Sequence, residues 1–379
     1  MRIGVNALFL RPGEVGGSET YLRGTLEAMP EGAAEWMVFT NVENDSWFRS
    51  AFGARRDFAF VPIRFRAARR WVRILREQVS LPQAARRARL DVLWSPGYTA
   101  PRRPLVPSVV SVLDAQYRRF PEDLSPVARW AMDFLLRRGG RAARGWLTLS
   151  EFSKRELVEA FGWPPSRIRV TPLAAESRFH RPAPAADDAA VLRRRNISPP
   201  YILCVAHTHP HKNVAALIEA HGRLPARLAP ELVLVGRPRR GEPSVRAAWR
   251  RHPRPERLIR MERASADELP ALYRRAEWFV FPSLYEGFGL PVLEAMAAGA
   301  PVLTTRCGAI PEVAGEAACY FDPPTADALA DALSIALTRP PGERRAWVEK
   351  GRARARGFTW KRTAGLTLET LREAACVAG

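Results

Sequence analysis

Glu286 and Glu294 stand with seven residues between them in the stretch Tyr285-Glu286-Gly287-Phe288-Gly289-Leu290-Pro291-Val292-Leu293-Glu294-Ala295-Met296. A carboxylate can accept two hydroxyls, as a sugar or a ribose requires. The residues between the two acids bear on what they reach. Gly287 and Gly289 let the backbone approach a ligand closely. Pro291 suits the first turn of a helix, and the apolar run 292–300 continues it. Upstream, Trp278-Phe279-Val280-Phe281 is apolar throughout and reads as a buried parallel strand. The order is strand, glycine turn, helix. Amides from Gly287, Phe288, Gly289 and Leu290 then lie at a helix N-terminus, which favours phosphate. For Glu294 alone, an acid near the positive end of a helix is an equally good reading.

Three other groups carry candidate chemistry. Gly16 and Gly17 follow the first apolar strand and precede a helix expected over Thr20–Met29. A glycine loop in that place can contact a ligand or simply turn the chain. No Gly-Lys-Ser/Thr follows, so it is not a P-loop, and no Gly-x-Gly-x-x-Gly supports a dinucleotide oxidoreductase. His207-Thr208-His209-Pro210-His211-Lys212 places three imidazoles and an ammonium after another strand. Pro210 breaks the ligand spacing and no carboxylate is adjacent, so no metal is expected. Lys212 suits a phosphate as a point charge. Asp114 ends the strand Val109-Val110-Ser111-Val112-Leu113. It could orient an acceptor hydroxyl or cap the segment that follows. Ser153 with Glu156 three residues on reads as a capping box.

The 379 residues suffice for two domains, and an apolar fraction of 47% is ordinary for a globular protein. No run of eighteen apolar residues occurs. The first ten residues lack a cleavage-site pattern and read as a strand, not a signal peptide. Cys204, Cys307, Cys319 and Cys376 are far apart and suggest neither disulfides nor zinc, so a reducing cytoplasm is expected. The net charge of +20 is spread along the chain without a nucleic-acid module, and no nucleic-acid partner is expected. Anionic donors or anionic lipid surfaces are sufficient partners for it. Only Lys154, Lys212, Lys350 and Lys361 are lysines.

Strands and helices alternate, as in a doubly wound α/β protein. Strands are expected over 2–9, 36–40, 92–95, 108–113 and 146–149. Residues 181–188 read as a linker by composition. The pattern then restarts with strands over 201–205, 232–236, 278–281 and 301–304, and a helix from about Val214. Two such units in tandem favour a site in a cleft between them.

The string from Glu286 to Glu294 resembles the E-x7-E segment of the retaining GT-B glycosyltransferases of family 4. The other motifs follow in the family's order over nearly the whole chain: Gly16-Gly17, Ser150-Glu151-Phe152-Ser153, Lys212, Gly308-Ala309-Ile310-Pro311-Glu312 and Phe321-Asp322-Pro323. The resemblance implies two Rossmann-like domains facing a cleft. It implies an N-terminal acceptor domain over 1–180, a nucleotide-sugar donor domain over 181–357, and a last helix over 358–379 packing back on the first domain. It also implies that Glu286 lies by the donor sugar and Glu294 holds the ribose. Gly16 and Gly17 would sit near the donor diphosphate and the acceptor, and Lys212 would neutralise the leaving diphosphate. His207 stands where relatives carry Arg or Thr, and Leu113 where many carry a His that contacts the donor sugar.

The resulting expectation is a hexosyltransferase. It would move a sugar, mannose by preference, from a nucleotide-diphosphate sugar to a hydroxyl of a glycan or lipid-linked acceptor with retention. Glu286, Lys212 and Asp114 would be its catalytic groups. His207, Gly287, Phe288, Gly289, Leu290 and Glu294 would line the donor with Gly16 and Gly17, and no metal or other cofactor is expected. A nucleotide-sugar 2-epimerase of the same fold, a phosphorylase and a catalytically weak sugar-nucleotide-binding protein are the alternatives. Two basic segments, 64–76 around Trp71 and 127–144 around Trp130, suit either packing on their own sheet or peripheral contact with the inner membrane face. Packing is the simpler of the two.

Overall fold

The computed structural model describes residues 1–14 and 16–376. They form two compact units. The first is Met1–Leu173 with the helix Trp360–Cys376, and the second is Ala174–Thr359.

The first unit is built on β1 (Arg2–Asn6), β2 (Glu35–Thr40), β3 (Phe58–Pro62), β4 (Val92–Ser95), β5 (Ser108–Ser111), β6 (Gly145–Thr148) and β7 (Ile168–Val170). Their order is β3-β2-β1-β4-β5-β6-β7, and every pairing is parallel. The second unit has β8 (Tyr201–Val205), β9 (Glu231–Val235), β10 (Leu258–Met261), β11 (Trp278–Phe281), β12 (Val302–Thr305) and β13 (Cys319–Phe321). Their order is β10-β9-β8-β11-β12-β13, again all parallel. Parallel strands covered on both faces need apolar residues at successive positions, not alternate ones. All four residues of β4, β5, β6, β11 and β12 are accordingly buried. Each sheet is therefore doubly wound. The order reverses between β1 and β4 in the first unit and between β8 and β11 in the second. Ligands of such sheets bind beyond the strand ends at those points.

The helix Trp360–Cys376 buries Thr363, Leu368 and Leu371 in the first unit. Thr363 Oγ1 donates to the Pro172 carbonyl, and Arg169 pairs with Glu373 at 2.8 Å. Its Trp360 ring lies against Gly24 of the helix Gly17–Glu27, where a Cβ would come within 2.5 Å of the ring.

Several expected elements differ. The strand expected over 2–9 stops at Asn6, and the first helix starts at Gly17. Residues 181–188 are not all linker. The helix Ala185–Arg194 begins inside them, because Asp188 is buried and grips Arg274 with both oxygens at 2.6 and 3.0 Å. The capping box at Ser153 is absent. Ser150 is the cap, and its side chain accepts from the Ser153 amide at 3.0 Å. The strands β3, β7, β10 and β13 were not expected. They flank the sheets, two of them have only three residues, and exposure of one face dilutes their apolar run.

Filling the gap at Gly24 overpacks the contact that docks the last helix, at a cost of about 1–3 kcal/mol. Gly24→Val is expected to lower the melting temperature although valine is the better helix former. Differential scanning calorimetry checks it, and an unchanged transition would remove the docking role.

Candidate functional site

In the second unit the chain leaves β8 toward β9 and leaves β11 toward β12, so the loops after two adjacent strands part. Lys212 closes the short turn Pro210–Lys212 after β8, and Glu286 lies in the turn after β11. Lys212 Nζ donates to Glu286 Oε1 at 2.5 Å, and the two side chains are only 18% and 10% exposed. Backbone contacts fix the pair. The Leu284 amide donates to the His211 carbonyl at 2.7 Å, and the Ser283 hydroxyl reaches that carbonyl at 3.2 Å and the Tyr285 carbonyl at 2.9 Å. Thr305 Oγ1 donates to the Ser283 carbonyl at 2.6 Å, and the Ala309 amide to the Glu286 carbonyl at 2.9 Å. Gly308, at φ +64°, packs so tightly that a Cβ would lie 2.5 Å from the Glu286 carbonyl oxygen.

The glycine turn continues as the sequence suggests. Gly289, at φ +96°, precedes the helix Leu290–Ala298 with Pro291 in its first turn. Gly287 lies between Glu286 and Phe288. The Phe288 ring is buried edge-on against Phe358, 5.8 Å between centres, so any part it takes in binding falls to its backbone.

Glu294 has different company. Tyr273 donates to its Oε2 at 3.3 Å. Burial pushes the Glu294 carboxyl up to about 8, and nearby Glu176 pushes the same way, against Arg178 and the Tyr273 hydroxyl. Sequence patterns do not single out Glu176, Arg178 or Tyr273. They come from distant segments, and no motif marks them.

His207 accepts a hydrogen bond at Nδ1 from the Arg237 amide at 3.0 Å, which leaves its proton on Nε2. Burial lowers its pKa to about 4, helped by Arg239, His209, Arg237 and Lys212, so it is neutral at pH 7. His211 is buried and lowered to about 3 by burial and then Lys212. His209 and His211 stack, ring centres 5.4 Å apart. Among the described residues, no group of His, Cys, Asp or Glu side chains is placed to hold a metal ion.

Gly16, Gly17 and Asp114 belong to the first unit and the other eight expected site residues to the second. Gly16, at φ +60°, caps the helix Gly17–Glu27, and its carbonyl accepts from the Glu19 and Thr20 amides. A Cβ on Gly16 or Gly17 would meet nothing within 4 Å, so this loop is open. Asp114 Oδ1 accepts from the Gln116 amide at 3.1 Å, a local turn just before the helix Gln116–Arg119. Burial and then Asp114 hold the Tyr98 phenol well above its usual range. Leu113 is buried.

The glycosyl transferases group 1 profile matches residues 192–354, and the Glycosyltransferase Family 4 profile matches residues 15–176. The chain belongs to the group 1/family 4 glycosyltransferases. It is 33% identical over 228 residues to O-antigen chain mannosyltransferase B of Escherichia coli, covering 57% of this chain and 57% of that protein. It is 32% identical over 243 residues to the MMP alpha-(1->4)-mannosyltransferase of Mycolicibacterium hassiacum, covering 60% and 54%. The matches thus span little more than half the length of these relatives. Among solved structures, Anabaena HepE in complex with UDP-glucose aligns at TM-score 0.76, 18% identity and coverage of 98% and 100%. Sucrose-phosphate synthase from Thermosynechococcus elongatus aligns at 0.78, 16% identity and full coverage of both chains. The glycosyltransferase fold is GT-B.

The raised Glu294 has a measurable consequence for stability. Its folded pKa lies above its unfolded value, so the native state holds an extra proton between about pH 4.5 and 8. Stability falls as pH rises through that window. Glu294→Gln is expected to melt about 2 °C or more above wild type at pH 8.5, with the gap closing by pH 5. Thermal melts across that range check it; a gap independent of pH would refute the burial argument.

Proposed function

We propose that the chain transfers a mannosyl residue from a nucleotide-diphosphate sugar to a hydroxyl of a glycan or lipid-linked acceptor, with retention at the anomeric carbon. The observation that carries the reading is the Lys212–Glu286 pair at the β8/β11 reversal, beside a glycine-led helix N-terminus. Lys212 spends one of its three N–H donors on Glu286, which leaves two for diphosphate oxygens. The Gly289 and Leu290 amides lie at the helix end, where negative charge is favoured. Together they would stabilise charge as the bond to the leaving diphosphate breaks. Electrostatic stabilisation of this kind is usually the largest contribution in such a site.

Glu286 would orient sugar hydroxyls, and Glu294 the ribose. The acceptor oxygen would attack on the face that the diphosphate leaves, with its proton passing to a donor phosphate oxygen. No carboxylate nucleophile is invoked, so the two-carboxylate scheme of glycosidases does not apply. Gly16 and Gly17 would lie near the donor diphosphate and the acceptor, and Asp114 would orient the acceptor hydroxyl. The reading includes no metal or other cofactor. Relatives named as mannosyltransferases support the sugar, and neighbours solved with UDP and UDP-glucose support a nucleotide-sugar donor. No helix among the described residues is long and apolar enough to cross a membrane. A peripheral position at the inner membrane face, in a reducing cytoplasm, completes the reading. Cys204, Cys307, Cys319 and Cys376 are all free, which fits that setting.

Lys212→Ala is expected to lower turnover about 100-fold or more. The assay is run below the variant's own melting temperature, because Glu286 is left unpaired; near-normal turnover would remove Lys212 from the mechanism. A thermal-shift panel of UDP- and GDP-sugars tests the donor. One nucleotide class is expected to stabilise the wild type and not Glu294→Ala. Stabilisation by none of them would sink the reading, and free altered sugar released without an acceptor would favour the epimerase.

A further inference from the structure

Among the described residues, four that are not glycine have left-handed backbones: Arg89, Tyr98, Asn196 and Asn213. Asparagine tolerates that region, and a bulky aromatic residue rarely adopts it. Tyr98, at φ +69°, lies in the loop after β4, beyond the strand ends where the order reverses between β1 and β4. Ligands of doubly wound sheets bind at such a place. Strained backbone persists only where the surroundings impose it, and such residues cluster at functional sites.

The surroundings of this turn are specific. The Tyr98 amide donates to the Ser111 carbonyl at 3.1 Å, and the Thr99 amide to the Gly97 carbonyl at 2.9 Å. Gly97 lies so close to Phe9 that a Cβ would come within 2.2 Å of its ring. Thr99 Oγ1 donates to Glu77 Oε2 at 2.9 Å, and Gln78 Nε2 donates to the Ala100 carbonyl at 3.1 Å. Glu77 is buried and also takes a hydrogen bond from Asn6, the last residue of β1. One carboxyl group thus ties the end of β1 to the turn after β4.

The phenol of the held turn hydrogen-bonds to Asp114. Asp114 follows β5, and Ser111, which accepts from the Tyr98 amide, is the last residue of that strand. The two loops are therefore joined twice, once by main chain and once by side chains. Asp114 Oδ1 is also held by the Gln116 amide, at 3.1 Å. Burial and then Asp114 keep the phenol protonated, so it stays a donor to the carboxylate. The Tyr98 ring packs against the apolar cluster that includes Val110, Leu136 and Trp146. Phenylalanine would fill that space as well, so packing accounts for the ring and not for the hydroxyl.

We infer that Tyr98 is a positioning residue for transfer: its phenol sets the Asp114 carboxylate in the orientation that receives the acceptor hydroxyl. The inference rests on the reading in which Asp114 orients that hydroxyl. It assigns Tyr98 to the acceptor step and not to donor binding. A reacting group held in the right geometry loses rate steeply when its holder shifts, even when nothing that touches the substrate has been removed.

The test uses the full chain as wild type, Tyr98→Phe, Asp114→Asn and the double variant. Each is assayed for transfer to methyl α-mannoside from GDP-mannose and from UDP-glucose. Stabilisation by GDP and UDP and the melting temperature without ligand are measured on the same proteins. Tyr98→Phe is expected to lower kcat for transfer about tenfold or more, with nucleotide stabilisation as in wild type. The double variant should transfer no more slowly than Asp114→Asn, and the two losses of melting temperature should fall short of adding. That last readout needs no acceptor and tests the contact itself. Wild-type kcat in Tyr98→Phe, multiplying losses of kcat in the double variant, or additive losses of melting temperature would each overturn the inference and leave the proposed function standing. So would nucleotide stabilisation lost in Tyr98→Phe. Failure of the wild type to transfer from either donor would strike the proposed function and this inference together.

Discussion

Lys212 and Glu286 form a nearly dry ion pair between loops that leave adjacent strands in opposite directions, and the geometry of the turns after β8 and β11 depends on it. Desolvating two charges is costly, and removing one partner leaves the other uncompensated, a loss of about 3–5 kcal/mol in fully buried pairs. Each residue therefore needs the other to stay where it is. The surrounding bonds have the same effect. Ser283, Thr305 and Gly308 contribute no charge, yet they fix the main chain that carries Glu286. These hydroxyl and main-chain contacts carry no ionisable group that titrates near neutral pH, so they hold the main chain at Glu286 whatever the pH.

The two carboxylates of one short motif have opposite surroundings. Glu286 faces an ammonium group, whereas Glu294 faces a phenol and a second carboxylate. A symmetric acid pair would be expected to share one task. Here one acid is paired with an opposite charge, and burial pushes the other toward its neutral form. Environments that set two like groups apart mark separate roles. The imidazoles sharpen the contrast. With His207 and His211 both lowered by burial, neither adds charge at neutral pH to the turn that carries Lys212.

Much of this was legible in the sequence, for reasons that differ by element. The buried strands β8, β9 and β11 announced themselves by unbroken apolar runs, and the glycine turn and proline after β11 marked the helix start. Flanking strands such as β7 and β13 are too short for any period to show. The acid-rich start of the helix Ala185–Arg194 looked like linker because Pro and Ala surround it, and the partner that buries Asp188 is Arg274, far along the chain. Glu176 and Arg178 escaped notice for the same reason. Their effect on Glu294 arises only when the segment after Leu173 folds against the helix Leu290–Ala298. Composition also read Ser153 as a cap because Glu156 follows it. The true cap, Ser150, lies one turn earlier, and Ser153 supplies the amide that it accepts.

Trp71, Leu75 and Val79 show where periodicity stops being informative. A four-residue repeat of apolar side chains among arginines predicts an amphipathic helix equally well whether the apolar face is covered or bare. What decides is the set of neighbours. Here Glu77 turns inward to Thr99 and Gln78 reaches the Ala100 loop, which turns the helix so that the Trp71 face points away from the sheet. The buried carboxylate thus does two things at once. It anchors the segment from inside, and burial favours its neutral form, against the pull of Arg73. An acid in the sequence of a basic helix need not reduce the positive potential of its surface, provided the fold takes that acid in.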